Sequence, residues 1–280
     1  MPIAPSIGAF FLMVGVFSSS GYGQSLRSVA TVTQDSSQRG HNAVIQGSDW
    51  KYLLGAVALV SAAAVGDRAI ERRFLQQSVQ TNEGFRRTSD AAGVIGDPGS
   101  IVFSAGTYFI GLGTHSRSIA ALGMYTGEAV VLGGVVAEAV KGLAGRSRPK
   151  VDTAQVRSFH FGRGFSNDDY GSFPSAETTI TFAAATASSM YVRRQWPSAS
   201  RIVTPAAYAA ATLVGISRIY KNEHWASDVA AGAVIGSVAG VGFDRWNRAH
   251  PNNIFERVFL PRSFSAARGR ATALWSFEFR

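Results

Sequence analysis

Ser217-Arg218-Ile219-Tyr220-Lys221-Asn222-Glu223-His224-Trp225-Ala226-Ser227-Asp228 leads into an apolar, Ala/Gly-rich run that ends near residue 243. A polar start followed by an apolar body describes a helix packed in a bundle, with its first turn at the bundle's end. His224 and Asp228 are four apart, a spacing that puts them on one helix face within touching distance. A carboxylate bonded to one ring nitrogen fixes the tautomer and leaves the other nitrogen free to attack. Arg218, on the preceding segment, can hold an anion beside them through its planar fork. Taken singly, His224 is also read as a polar residue that starts a helix, and Asp228 as a first-turn acid favoured by the dipole.

Two upstream blocks extend the pattern. Lys141-Gly142-Leu143-Ala144-Gly145-Arg146-Ser147-Arg148-Pro149 places cations at the end of an apolar segment. Ser172-Phe173-Pro174-Ser175-Ala176-Glu177-Thr178-Thr179 opens another such segment. Ser175 stands where an N-cap belongs, so free backbone N–H groups follow it and form a ready cradle for phosphate. Cations, a serine, helix N–H groups and a His–Asp pair together describe a phosphoryl-transfer site. His41, His115, His160 and His250 show no metal-ligand spacing and read as surface or loop residues.

At these residues the chain resembles the type 2 phosphatidic acid phosphatase (PAP2) family. Lys141 through Arg148-Pro149 is similar to that family's first motif, and Ser217-Arg218 with His224 and Asp228 to its third. The middle motif, Pro-Ser-Gly-His in the family, reads Pro174-Ser175-Ala176-Glu177 here. The resemblance covers about residues 50–245. It implies an all-α bundle of about six core helices, like that of this family and of the related vanadium haloperoxidases. It implies that His224 is the nucleophile and forms a phospho-histidine, and that Asp228 orients it. Lys141, Arg148, Ser175, Arg218 and the backbone N–H of Ala176 would bind the phosphate oxygens. Glu177 takes the place of the histidine that protonates the leaving group. A buried carboxylic acid can fill that role, whereas an ionised one would be repelled by the phosphate. The implied activity is hydrolysis of phosphomonoesters or pyrophosphates, lipid-linked ones foremost, with neither metal nor cofactor. A catalytically weak phosphate- or headgroup-binding protein and a vanadate-dependent haloperoxidase are the alternatives.

Composition frames this reading. The chain has 280 residues, 46% of them apolar, and no cysteine, which excludes a disulfide scaffold and thiolate metal sites. A net charge of +9 favours anionic partners. No basic patch interleaved with stacking aromatics points to nucleic acid; a phosphorylated substrate or an anionic membrane surface fits better. Oligomeric state is open. Residues 1–23 read as a signal peptide or anchor, with an apolar stretch over 7–17 and cleavage before Gln24. Residues 24–50 read as a polar linker, 51–250 as the helical phosphatase domain and 251–280 as a tail with some strand-like alternation.

Six apolar segments lie near 52–66, 99–113, 117–143, 178–192, 201–216 and 226–243, and the loop 150–174 covers the end where the motifs meet. Most runs fall short of the roughly 20 residues a membrane span needs. Mean hydropathy is only +0.08. These features favour an exported, water-soluble bundle, periplasmic or secreted, over an integral protein with six spans.

Overall fold

Each of the six apolar segments becomes a helix. A computed structural model of the chain describes residues 49–151, 153, 155–267 and 270–275. In chain order the helices are α1 (Trp50–Phe74), α2 (Gln77–Gln80), α3 (Glu83–Val94), α4 (Ser100–Gly113), α5 (Arg117–Ala144), α6 (Ala176–Gln195), α7 (Pro197–Tyr220), α8 (Ala226–Ala249) and α9 (Ile254–Phe259). A π-helical turn, Ile95–Gly99, joins α3 to α4 around Pro98. The chain ends in an antiparallel hairpin, β1 (Ser263–Ala267) and β2 (Arg270–Leu274), with Ser263 opposite Leu274. The signal-peptide and linker readings fall on residues outside those described.

The core is built from small side chains. Ala129 of α5, Ala183 and Ala187 of α6 and Ala239 of α8 form one buried cluster. Such residues let helix backbones approach closely. At Gly236 of α8 a Cβ would meet the carbonyl oxygen of Thr179 at 2.2 Å, so only glycine allows the observed contact with α6. Helix α6 is the most enclosed, with buried residues around its whole circumference from Thr178 to Val192. A second cluster, Ala120, Ala121, Met124, Tyr191 and Leu260, ties the tail to the bundle. Tyr125 also donates to Glu256 of α9, and Arg117 to the Pro261 carbonyl. The tail read as strand-like holds a short helix and then a hairpin whose second strand is Arg270–Leu274.

The helices run further than the apolar segments that seeded them, and this corrects the length argument for a water-soluble bundle. Helices α1, α5, α7 and α8 have 25, 28, 24 and 24 residues and are long and apolar enough to cross a membrane. Length was underestimated because polar residues near the helix ends, such as Asp67, Arg68 and Glu71 in α1, interrupt the apolar pattern without ending the helix. The outward faces are apolar as well. Val65 is 84% exposed, Ile202 71%, and Phe109 and Val131 66% each. Soluble proteins rarely leave so much large apolar surface uncovered.

Helix polarity gathers the three sequence blocks at one end. The C-termini of α1, α5 and α7 meet the N-termini of α6 and α8 there, as shown by bonds from Arg146 to Asp67 and Asp228 and from Ser175 N–H to the Asp228 carbonyl. Gly145 ends α5 in the left-handed region at φ 58°, and a Cβ there would strike the His160 carbonyl. The chain then turns through Arg146-Ser147-Arg148 and runs through a loop with two short 3-10 turns, Arg163–Phe165 and Asp168–Tyr170.

Candidate active site

Ser175 caps α6 with its side chain accepting from Thr178 N–H at 3.4 Å. Its hydroxyl also accepts from Thr178 Oγ1 at 2.9 Å, and the residue is fully buried. The first turn of α6 thus presents Ala176 and Glu177 at the positive end of the helix. Glu177 points across to His224. Its Oε2 lies 3.3 Å from His224 Nε2, and its Oε1 lies 3.8 Å from Arg218 Nη1 in the last turn of α7. Glu177 Oε2, His224 Nε2 and Arg218 Nε are all buried without a hydrogen-bond partner. Unpaired buried polar atoms are costly in a structural role, and here three of them cluster at one place.

His224 is 1% exposed. Its Nδ1 is 2.7 Å from the carbonyl oxygen of Ser172. A carbonyl only accepts, so Nδ1 carries the hydrogen and Nε2 is the nitrogen turned toward Glu177. This differs from the direct carboxylate bond that the four-residue spacing suggests. Asp228 Oδ2 stands 4.0 Å from Nδ1, beyond hydrogen-bonding reach. The reason is local: α8 begins at Ala226 with Trp225 as its N-cap, so His224 precedes the helix and shares no face with Asp228. Asp228 instead closes a capping box by accepting from Trp225 N–H at 2.8 Å. It reaches His224 indirectly, because it also accepts from the hydroxyl of Ser172, whose carbonyl holds the ring.

The carboxyl of Glu177 responds to this setting. Burial pushes it up, but the adjacent His224 ring and the Arg218 guanidinium outweigh burial and hold it well below the usual carboxylate range. The Glu177 carboxylate thus faces Nε2 of His224 at 3.3 Å.

The remaining expected cations are engaged. Arg148 donates from Nη1 to Glu223 Oε2 at 2.7 Å, from Nη2 to Asp168 Oδ1 at 2.7 Å, and from Nε to the Asp168 carbonyl at 2.9 Å. Lys150 adds a second pair to Glu223 at 2.9 Å. Lys141, in the last turn of α5, pairs with Glu138 at 2.6 Å. Burial raises the Glu223 and Asp168 carboxyls, and the Arg148 and Lys150 charges, with Lys141 beside Asp168, more than reverse it, leaving both lowered. Asp168 and Glu223 thus occupy the Arg148 guanidinium.

Three more residues belong to the site, although the spacing pattern gives them no role. Arg146, inside the Lys141 block, is 4% exposed and bonds to Asp67 Oδ2 at 2.8 Å and to Asp228 Oδ1. Asp67 lies in α1, near the charged C-terminal end of that helix. Glu223 was quoted in the third block but carried no assigned part. Among the described residues no group of three or more His, Asp or Glu side chains is placed to hold a metal ion.

The chain is similar to known proteins over part of its length. Residues 122–251 match the PAP2 superfamily. A curated relative, the lipid A 1-phosphatase of Porphyromonas gingivalis, is 42% identical over 69 residues, which is 25% of this chain and 15% of that protein. The chain thus matches only a small part of that relative's length. Among solved structures, the crystal structure of a transmembrane PAP2 type phosphatidylglycerolphosphate phosphatase from Bacillus subtilis aligns with 69% of this chain and 98% of its own. Identity there is 18% and the TM-score 0.34.

Proposed function

We propose that this chain, which carries a PAP2-superfamily domain over residues 122–251, hydrolyses a phosphate ester or pyrophosphate borne by a lipid, through a phospho-histidine at His224. The observation that carries this reading is the facing pair at the head of α6. His224 Nε2 and Glu177 Oε2 are 3.3 Å apart, buried and unpartnered, with Arg218 beside them.

The chemistry needs one proton shared by this pair. With that proton on Oε2, His224 is a neutral nucleophile and Glu177 a neutral acid. The Nε2 lone pair then attacks phosphorus while the bond from phosphorus to the leaving oxygen breaks. Glu177 gives its proton to that oxygen, and Nδ1 keeps its own on the Ser172 carbonyl. The ionised Glu177 next takes a proton from water as the water oxygen attacks phosphorus. The phosphorus–nitrogen bond breaks, and inorganic phosphate leaves. Arg218 and the backbone N–H of Ala176, with Arg148 and Lys141 once their acidic partners yield, stabilise the charge on the equatorial oxygens. Ser175 positions these N–H groups by capping the helix.

A lipid substrate fits the apolar outer faces of α1, α5 and α7 and the name of the curated relative. We read α1, α5, α7 and α8 as crossing the membrane around α6. Helix α1 ends at the site, so the side from which residue 50 enters sets the side on which the site opens. The purified full-length chain in detergent should release phosphate from a lipid phosphate faster than from a soluble sugar phosphate. Binding of phosphate without turnover of any ester would overturn the hydrolase reading in favour of a headgroup-binding protein.

A further inference from the structure

Asp67 and Arg146 take no direct part in the phosphate cradle, yet both are buried beneath it, at 1% and 4% exposure. Charges this deep persist only when paired. Asp67 Oδ1 accepts from Ser227 N–H at 2.8 Å. Its Oδ2 accepts from Ser227 Oγ at 2.7 Å and from Arg146 Nη2 at 2.8 Å. The other terminal nitrogen of Arg146 donates to Ser227 Oγ at 2.7 Å and to Asp228 Oδ1. The opposite oxygen of Asp228 accepts from Ser172 Oγ, and the Ser172 carbonyl holds His224 Nδ1 at 2.7 Å. One continuous chain of bonds therefore runs from α1 to the ring of His224.

We propose that Asp67 is a positioning residue for His224, acting through Arg146, Asp228 and Ser172. The proposal rests on the reading of His224 as the nucleophile. Its logic is mechanical. A ring held by one carbonyl is only as fixed as that carbonyl, and Ser172 is fixed by its hydroxyl on Asp228. Asp228 takes Ser172 Oγ and Trp225 N–H on Oδ2, and its carboxyl plane is set only when its second oxygen is also held. Arg146 holds it, and Asp67, with the Val156 carbonyl, keeps the planar guanidinium in orientation by taking its other terminal nitrogen.

Charge adds to the argument. Two carboxyl groups, Asp67 and Asp228, share the Arg146 guanidinium behind the ring. An ionised carboxylate of this cluster favours the cationic imidazole formed when Nε2 bonds phosphorus. The other charged groups facing His224 are Glu177 from α6 and Arg218 from α7. A cluster that only fastened α1 to the bundle would affect folding and leave turnover per folded molecule unchanged.

The test compares the full-length wild type with Asp67→Asn on one phosphate ester, counting only folded protein. Asp67→Asn should lower kcat by about tenfold to a hundredfold with KM within about twofold of wild type. In an Asp228→Asn background it should add little further loss, since both act through one chain. If Asp67→Asn does not fold, Ser172→Ala cuts the same chain while sparing the carbonyl, and should lower kcat likewise at unchanged KM. A folded Asp67→Asn or Ser172→Ala with wild-type kcat, or losses that multiply in the double variant, would overturn the proposal. A wild type without any esterase turnover would defeat the phosphatase reading itself and the proposal with it. An active wild type with unaffected variants defeats the positioning role alone.

Discussion

At the scale of residues, the site turns on where one proton sits. Glu177 must be protonated when the leaving group departs, so Glu177→Gln should lose most activity toward a lipid alkoxide. It should lose much less toward an activated aryl phosphate, whose leaving group needs no proton. Equal losses on both substrates in steady-state assays would contradict the acid role. A second expectation concerns Arg148. Glu223 and Asp168 are lowered by their cationic neighbours, so the clamp they form is fully present above the ordinary carboxylate pKa of about 4. It is lost as pH falls through their depressed folded values. Amide exchange in the loop 150–171 should be flat from neutral pH down to about 4 and rise only below it, once the intrinsic rate is corrected for. A rise centred above that range would contradict the clamp. His224, Glu177, Arg218 and Ser175 were legible because each sits in a short block at a helix end. Asp67 was not, because its partner Arg146 is distant in sequence and no spacing rule links α1 to the loop after α5. The His224–Asp228 contact was misread because a residue before the N-cap does not obey helical spacing.

At the scale of elements, small residues decide how the helices meet. Gly236→Ala would drive a Cβ into the α6 backbone and should destabilise the protein by about 1–3 kcal/mol. Gly106→Ala, in α4 with nothing within 4 Å of the added carbon, should instead stabilise by about 0.5–1 kcal/mol. Thermal unfolding of the two variants in one detergent checks both signs, and a stable Gly236→Ala would contradict the close α6–α8 contact. The six main helices were readable from apolar runs between Gly-, Pro- and Ser-rich breaks. Their lengths were not, because charged residues at the site end of α1 look like a boundary in sequence, although Asp67 and Glu71 among them are buried in the fold. The hairpin and α9 were unreadable for a related reason: what holds the tail is Leu260, Glu256 and Pro261 docking on α5, a long-range effect.

At the scale of the whole molecule, four long apolar helices put the site at one end of the bundle and the α6–α7 turn at the other. The chain has no cysteine, so single-cysteine variants report topology directly. Ser166→Cys, in the exposed loop over the site, and Ser198→Cys, at the far turn, should react with an impermeant maleimide from opposite sides of the membrane. Labelling of both from the same side of intact vesicles would contradict the spanning arrangement. The central claim, that His224 carries the phosphoryl group, is tested most directly by quenching the enzyme during turnover of a radiolabelled phosphate ester. The predicted result is an acid-labile, base-stable phosphoryl adduct on the peptide that contains His224, absent from His224→Ala, which is folded and inactive. An adduct on another residue, or wild-type turnover by His224→Ala, would contradict it.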